Sequence, residues 1–175
     1  MISSTLRDFV YILLPSAIVL YAMYLTVKAF LDKDLALRVV EIKGRNTEIV
    51  LPIRLQAYER MCLFLERIAP NNLLLRLNDN AFSARDFQQV LLSEIREEYS
   101  HNLSQQVYMS DLAWGAIKGA MEEVIMLINT SSANLPAEAG SLDLARAVFD
   151  NIMTLDLDPT GKALKVVKDE IRQVF

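Results

Sequence analysis

An uninterrupted apolar segment near the N-terminus is the strongest constraint on what this chain can fold into. Residues 9–27 are nineteen consecutive uncharged residues, flanked by Asp8 and Lys28. A helix rises about 1.5 Å per residue, so this segment would be roughly 28 Å long, close to the hydrocarbon thickness of a bilayer. Because backbone polar groups in lipid must be satisfied internally, a helix is the expected state. We predict a transmembrane helix over 9–31 after a short N-terminal tail over 1–8.

The residues expected to anchor this helix are apolar or aromatic, and the tyrosines among them favour the headgroup region. They are Phe9, Tyr11, Leu14, Ile18, Leu20, Tyr21, Tyr24 and Val27. A cleavable signal peptide is one alternative, but it would need a positive N-terminal region and a small-residue cleavage site. A buried core helix of a soluble protein is the other, but such helices seldom run this long without a polar face.

Basic residues near the segment predict its orientation. One arginine precedes the segment, and the basic residues that follow it are Lys28, Lys33, Arg38, Lys43 and Arg45. By the positive-inside rule, the C-terminal part lies in the cytoplasm and the N-terminus outside. A lone cysteine, Cys62, agrees with a reducing compartment. We expect a single-pass protein of the bacterial inner membrane.

Composition restricts the class of the remaining chain. The net charge is −4 and no basic run is present, so the sequence lacks the electrostatic footprint of a nucleic-acid-binding protein. Five glycines and five prolines are too few for the many tight turns of an all-β domain. The sequence therefore favours one ordered, mainly helical domain.

Apolar residues at helical spacing predict a cytoplasmic bundle of about five amphipathic helices over 53–175. Capping signals mark most of the helix starts, which are Pro52, Ser83, Ser110 and Asp158, and a fourth helix carries Leu144 to Ile152. The apolar pattern of the second helix extends through Leu103 and Val107, and the last helix through Phe175. Residues 129–134 are predicted to be a polar linker.

The join over 32–52 allows two interpretations. Its first part extends the membrane helix into a linker. Over 38–50, β-branched residues favour strands and Gly44 favours a turn, so a small hairpin is one interpretation. A bent helix followed by a loop at Gly44 is the other.

Glu98 and His101 form a Glu-x-x-His pair on one helix face. Di-iron bundles use this spacing, with further glutamates on facing helices. Here Glu59, Glu66, Glu122 and Glu123 would have to supply them. A single pair also arises by chance in amphipathic helices, and a surface histidine near a helix end is the simpler interpretation.

A run of polar side chains follows the same pair. It consists of His101, Asn102, Gln105 and Gln106. Because unpaired buried amides are costly, such a run indicates either a polar interface or a buried hydrogen-bond network. An ordinary solvated turn is the simpler interpretation.

Other local patterns point to structure rather than chemistry. Cys62 lies on an apolar stripe and is expected to pack rather than react, and no motif supports a nucleophilic pair with His101. Residues 160–162 resemble the end of a phosphate-binding loop but lack its upstream glycine, so a helix start is expected. Gly115 and Gly119 predict a close helix crossing within the bundle.

Three stretches, 51–68, 94–110 and 168–175, carry a resemblance to a known family. They resemble a family of uncharacterised single-span membrane proteins of Bacteroidetes-type bacteria, over most of the chain beyond the apolar segment. The resemblance implies an envelope location. It implies no activity, no cofactor and no catalytic residues.

The combined expectation is a non-enzymatic, membrane-anchored helical protein. It would act as a protein-interaction or scaffold module, or as a minor subunit of a membrane complex, by binding an unidentified protein or a second copy. The exposed faces of the helix over 58–68 and of the last helix are the expected docking surfaces. The alternative is a helical-bundle enzyme that binds a metal or a small molecule through Glu98 and His101.

Overall fold

Six α-helices and one 3-10 helix form the part of the chain that the computed structural model describes, residues 2–156 and 158–173, without the side chains of 2–12, 36 and 39–47. The α-helices are α1 (Ile2–Ile68), α2 (Pro70–Leu77), α3 (Ala84–Asn102), α4 (Asp111–Ala133), α5 (Ser141–Leu155) and α6 (Pro159–Arg172), and the 3-10 helix is Leu103–Tyr108. No strand occurs among these residues. The prediction of a mainly helical protein is confirmed.

Helix α1 runs through the whole join, so the hairpin interpretation of 38–50 is wrong. The helix neither ends at Gly44 nor begins at Pro52, and it already starts at Ile2. A two-stranded hairpin without further strands is marginal in water, whereas a helix satisfies its backbone locally. A glycine costs a helix about 1 kcal/mol, and a proline removes one hydrogen-bond donor. Neither is enough to end a helix of this length.

Contacts divide the chain into two units, residues 1–50 and residues 51–175. In the first unit, Leu13–Leu35 is a helix long and apolar enough to cross a membrane, with a mean hydropathy of 1.6. None of it is buried. The expected anchor residues with described side chains are all exposed, namely Leu14, Ile18, Leu20, Tyr21, Tyr24 and Val27. The side chains of Phe9 and Tyr11 lie outside the description.

The second unit has a core to which all its α-helices contribute. Helix α4 packs against α6, α3 and α5, and the C-terminal part of α1 adds several fully buried side chains. The largest buried residues are Met61, Phe64, Leu65, Ile68, Leu73, Leu74, Phe87, Leu91, Ile95, Ile117, Ile128 and Leu144. Val167 brings α6 into the same core, whereas Phe175 lies outside the described residues.

Three predicted helix starts are confirmed by their caps. The Ser83 hydroxyl accepts the Asp86 N–H at 3.1 Å. The Ser110 hydroxyl accepts the Ala113 N–H at 3.2 Å, and the Asp158 carboxylate accepts the Gly161 N–H at 2.9 Å. Each cap satisfies one backbone donor that the first helical turn leaves without a partner.

The predicted polar linker over 129–134 is wrong, because α4 continues to Ala133. Its polar side chains find partners on neighbouring helices. Ser131 is 1% exposed and accepts from the Asn151 amide at 2.8 Å. Ser132 donates to Gln88, whose amide donates to Asn129, both at 2.8 Å. Polar residues with such partners do not end a helix.

The apolar pattern predicted to continue beyond α3 does not form a buried face. Helix α3 ends at Asn102, and the 3-10 helix that follows has no buried residue. Val107 is 77% exposed, and Leu103 is also exposed. A 3-10 helix has about three residues per turn, so the spacing that aligns these residues on an α-helix no longer aligns them here.

The predicted close helix crossing at Gly115 and Gly119 is also wrong. A Cβ atom added at either glycine would meet nothing within 4 Å apart from its own helix and chain neighbours. Gly115 is exposed and Gly119 half-buried. The two glycines therefore do not mark a contact between helices.

Candidate functional site

A carboxylate on the last helix joins three distant segments of the second unit. Glu170, near the end of α6, accepts hydrogen bonds from the Tyr58 hydroxyl and the Ser110 hydroxyl. The Ser110 backbone N–H donates to the same carboxylate at 3.0 Å. Tyr58 lies on α1 and Ser110 caps α4, so Glu170 connects both helices to α6.

Arg54, one turn before Tyr58 on α1, completes this group. Its guanidinium donates to the Tyr58 hydroxyl at 3.1 Å and to the Tyr108 carbonyl at 3.2 Å. It also lies 5.8 Å from the centroid of the Tyr58 ring. We call Arg54, Tyr58, Ser110 and Glu170 the Glu170 cluster. The Arg54 guanidinium and the Glu170 carboxylate both bond to the Tyr58 hydroxyl, and Tyr58 is almost completely buried.

The electrostatics of the cluster follow from burial and hydrogen bonding. Burial would raise the pKa of Glu170, but the hydrogen bonds from Ser110 and Tyr58 favour its charged form and hold the pKa below its ordinary value. Burial, together with the hydrogen bond to Glu170, raises the pKa of Tyr58. The cluster is therefore a carboxylate with neutral hydroxyl donors beside a guanidinium.

A surface cavity of about 570 Å³ lies beside the cluster. Arg54, Ser110 and Glu170 line it together with Leu112 and Val166. The Ser110 hydroxyl already donates to the Glu170 carboxylate and accepts from the Ala113 N–H, so it is not free to act as a nucleophile. The arrangement is suited to holding three segments together rather than to acid–base or nucleophilic chemistry.

The predicted Glu98–His101 pair lies elsewhere, near the end of α3. Glu98 is half-buried and its carboxylate lies 3.3 Å from the Arg67 guanidinium. His101 is exposed in the last turn of the helix. In the part of the chain that the structure describes, no group of three or more His, Cys, Asp or Glu side chains is placed to hold a metal ion. The glutamates suggested as further ligands, Glu59, Glu66, Glu122 and Glu123, are exposed.

A charge network surrounds Glu98 on the same face. Glu94 lies 2.6 Å from Arg76 and 3.5 Å from Arg67, which also contacts Glu98. The Arg76 hydrogen bond is the main reason that the pKa of Glu94 is lowered. These contacts connect the end of α1 and α2 to α3.

The predicted polar run does not come together as one network. Asn102 is buried and its amide donates to the Glu98 carbonyl at 2.8 Å, within its own helix. Gln105 is half-buried and donates to the neighbouring Ser104 at 3.3 Å. His101 and Gln106 are exposed.

Cys62 is half-buried beside the core, as its position on the apolar stripe predicts. Burial raises the pKa of its thiol. A raised pKa disfavours the thiolate, which is the reactive form. The environment of Cys62 therefore suits packing better than nucleophilic chemistry.

Sequence reasoning singled out Ser110 as a cap but missed the other members of the Glu170 cluster. A local signal existed on α1: Arg54 and Tyr58 are four residues apart and share a helix face. A buried tyrosine hydroxyl also needs a partner. Glu170 is 112 residues away in the sequence, and no local pattern identifies it as that partner.

The fold and its clusters define a mainly helical protein with one candidate membrane-spanning helix among the described residues. A family model described as a family of unknown function (DUF7935) matches residues 4–174, and the chain belongs to this family. Comparison with curated proteins gives no match, and comparison with solved structures gives none.

Proposed function

We propose that this protein is a single-pass, membrane-anchored helical module whose C-terminal unit binds another protein or a second copy of itself. It serves as an interaction or scaffold module, or as a minor subunit of a membrane complex. The observation that carries the proposal is the exposed apolar helix Leu13–Leu35, which belongs to the same helix as the core residues of the second unit.

The apolar helix suits a lipid environment in its length and in the bonding of its serine and its threonine. At about 1.5 Å per residue, 23 residues are long enough to cross the hydrocarbon core with some tilt. Its serine and its threonine bond within the helix, Ser16 to the Leu13 carbonyl at 2.9 Å and Thr26 to the Ala22 carbonyl at 2.8 Å. These two hydroxyls therefore need no water as a partner, whereas the tyrosines Tyr21 and Tyr24 suit the headgroup region.

A non-catalytic role is supported by the state of the polar clusters. In the Glu170 cluster, the hydroxyls and the carboxylate are already bonded to one another. Glu98 is engaged by Arg67 and His101 is exposed, so the enzyme alternative receives no support from their geometry. Anchoring gives a binding module a different advantage, because it raises the effective concentration of partners on the membrane.

The anchor is tested by extracting membranes with alkaline carbonate. We expect the wild-type chain to stay in the membrane pellet. The double variant Leu20→Arg/Met23→Arg should move to the supernatant, because each arginine near the centre of a span costs about 3 kcal/mol. Leu75→Arg is the matched control, since Leu75 is exposed on α2 in the second unit, and it should stay in the pellet. Wild-type protein in the supernatant would contradict the proposal.

The interaction role is tested by photo-cross-linking the full chain in native membranes. A photoreactive residue replaces Leu63, on the exposed face of α1 next to the core, or Val166 on α6. We expect a cross-linked species larger than the monomer from at least one of these positions. A probe at Arg146 on α5 is the control for random collision. Monomer alone from every position would count against a binding module.

A further inference from the structure

The solvent-facing side of α6 carries a row of basic side chains. Lys162, Lys165, Lys168 and Arg172 are all exposed. Their spacing of three, three and four residues places them along one side of the helix, opposite the buried Val167. Arg172 lies 3.5 Å from Asp169, whereas the three lysines form no ion pair with any carboxylate that the structure describes.

This row stands out against the charge of the whole chain, which is −4. Helix α6 has two acidic residues of its own. Asp169 lies beside Arg172, and Glu170 is engaged in the Glu170 cluster on another side of the helix. The three lysines therefore present positive charge to the solvent from one helix face.

Exposed apolar side chains adjoin the start of the row. Lys162 lines a cavity of about 320 Å³ together with Met126, Leu127 and Leu155. Met126 is 65% exposed and Leu155 is 62% exposed. One carboxylate, Glu123, also lines this cavity. Basic side chains next to exposed apolar ones are typical of surfaces that lie at a membrane interface.

We propose that the basic side of α6, together with Met126 and Leu155, binds the anionic headgroups of a lipid bilayer. Charge complementarity supports this occupant, since juxtamembrane lysines and arginines are attracted to anionic lipid. This inference rests on the proposed anchor, which keeps a bilayer within reach of the chain. A fluid lipid surface also fits the long, flexible side chains of the three lysines, which form no ion pair with a described carboxylate, whereas an acidic protein segment would need a more fixed site.

The test uses the full chain in vesicles with a fluorophore beside the basic row. The variant Cys62→Ala/Met126→Cys carries the label, and Cys62→Ala/Leu75→Cys carries it on α2 as a control position. The vesicles contain phosphatidylcholine alone or phosphatidylcholine with phosphatidylglycerol, and brominated lipids act as quenchers. We expect quenching at position 126 in anionic vesicles only, weakened by salt, and none at position 75.

Charge-reversed variants identify the cause of the quenching. The triple variant Lys162→Glu/Lys165→Glu/Lys168→Glu should lower the ratio of lipid-bound to free domain by about 100-fold or more. Each basic side chain near an anionic surface raises this ratio about fivefold. A matched control changes the net charge equally on α3 and α5, at the exposed residues Arg85, Arg96 and Arg146, each to Glu. It should retain the quenching.

The outcomes separate this inference from the proposed anchor. Flotation with neutral vesicles reports the anchor alone, and a chain that does not float contradicts the anchor. If the chain floats but the label at position 126 is not quenched in anionic vesicles, only the lipid-binding inference is overturned. The basic row would then bind an acidic protein segment or be solvated. Equal loss of quenching in the matched control also overturns it.

Discussion

At the scale of single residues, the second unit depends on one carboxylate that closes a long loop of chain. Glu170 bonds to Tyr58, 112 positions earlier, and to Ser110, 60 positions earlier. The buried hydroxyl of Tyr58 would otherwise lack an acceptor, and an unsatisfied buried polar group costs about 1–3 kcal/mol. The cluster therefore specifies which side of α6 faces α1 and α4.

A double-mutant cycle measures this connection. We expect Glu170→Gln to lower the free energy of unfolding by about 1–3 kcal/mol, because the amide replaces a charged acceptor and adds a donor. Tyr58→Phe should lose less on this background than in the wild type, since its partner is already altered. Urea unfolding followed by the fluorescence of Trp114 gives the four values. Glu138→Gln, an exposed position in the α4–α5 loop, is the control, and additive effects would contradict the connection.

The same carboxylate predicts the response of stability to acid. The pKa of Glu170 is lowered in the folded state, so its contribution is fully present above the ordinary value of 4.5. The contribution is lost as the pH falls below 4.5 through the folded pKa, because the unfolded chain then binds more protons. Glu94 acts in the same direction. Glu170→Gln should therefore flatten the decline of stability below pH 4.5, and an unchanged slope would contradict the assignment.

Single residues that act locally were predictable, and those that act at a distance were not. Ser110 was identifiable as a cap because its partner lies three residues away. The bond from Tyr58 to Glu170 was not, since only the packing of α1 against α6 brings the two together. Glu98 and His101 show the reverse case. They are close in sequence, but in the tertiary structure Glu98 forms an ion pair with Arg67 instead.

At the scale of elements, predictions succeeded where the signal was within the element. Caps and apolar spacing gave the starts of α3, α4 and α6. Predictions failed where the outcome depended on neighbours. The residues over 38–50 favour strands but continue in α1. Residues 129–134 resemble a linker, but 129–133 continue in α4 because their side chains bond to α3 and α5.

Glycines in two helices should respond in opposite ways to the same substitution. Gly119→Ala in α4 should raise the free energy of unfolding by about 0.5–1 kcal/mol, since a Cβ atom there meets no neighbour within 4 Å and alanine favours a helix. Gly161→Ala in α6 should lower it by about 1 kcal/mol, because its Cβ would overlap the Asp158 carboxylate that caps the helix. Urea titration of both variants measures the two changes in the free energy of unfolding. Changes of the same sign would contradict the surroundings described for the two glycines.

At the scale of the whole molecule, the chain combines an exposed apolar helix with a unit that has its own core. The family match extends over residues 4–174 and so includes both parts. The proposed anchor would insert into the bilayer, whereas the basic side of α6 is proposed to contact the bilayer surface. Both relations depend on the side of the membrane that holds the second unit.

Reporter fusions to the C-terminus measure this topology. The basic residues that follow the apolar segment predict a cytoplasmic C-terminus. A green fluorescent protein fused there should fluoresce, and an alkaline phosphatase fused there should be inactive. Replacing Lys28, Lys33 and Arg38 by Gln, with Arg7 retained, should reduce this bias. An active phosphatase on the wild-type chain would contradict the predicted orientation.

The order of synthesis has a consequence for biogenesis, because the core residues of α1 are made well before α6. Its core residues Met61, Phe64 and Leu65 emerge from the ribosome long before α6 exists to cover them. At roughly 5–20 residues per second, the hundred or so residues in between take on the order of ten seconds to make. During that interval the apolar face of α1 is exposed to chaperones and proteases. Chains truncated before residue 159 should therefore be degraded rather than accumulate.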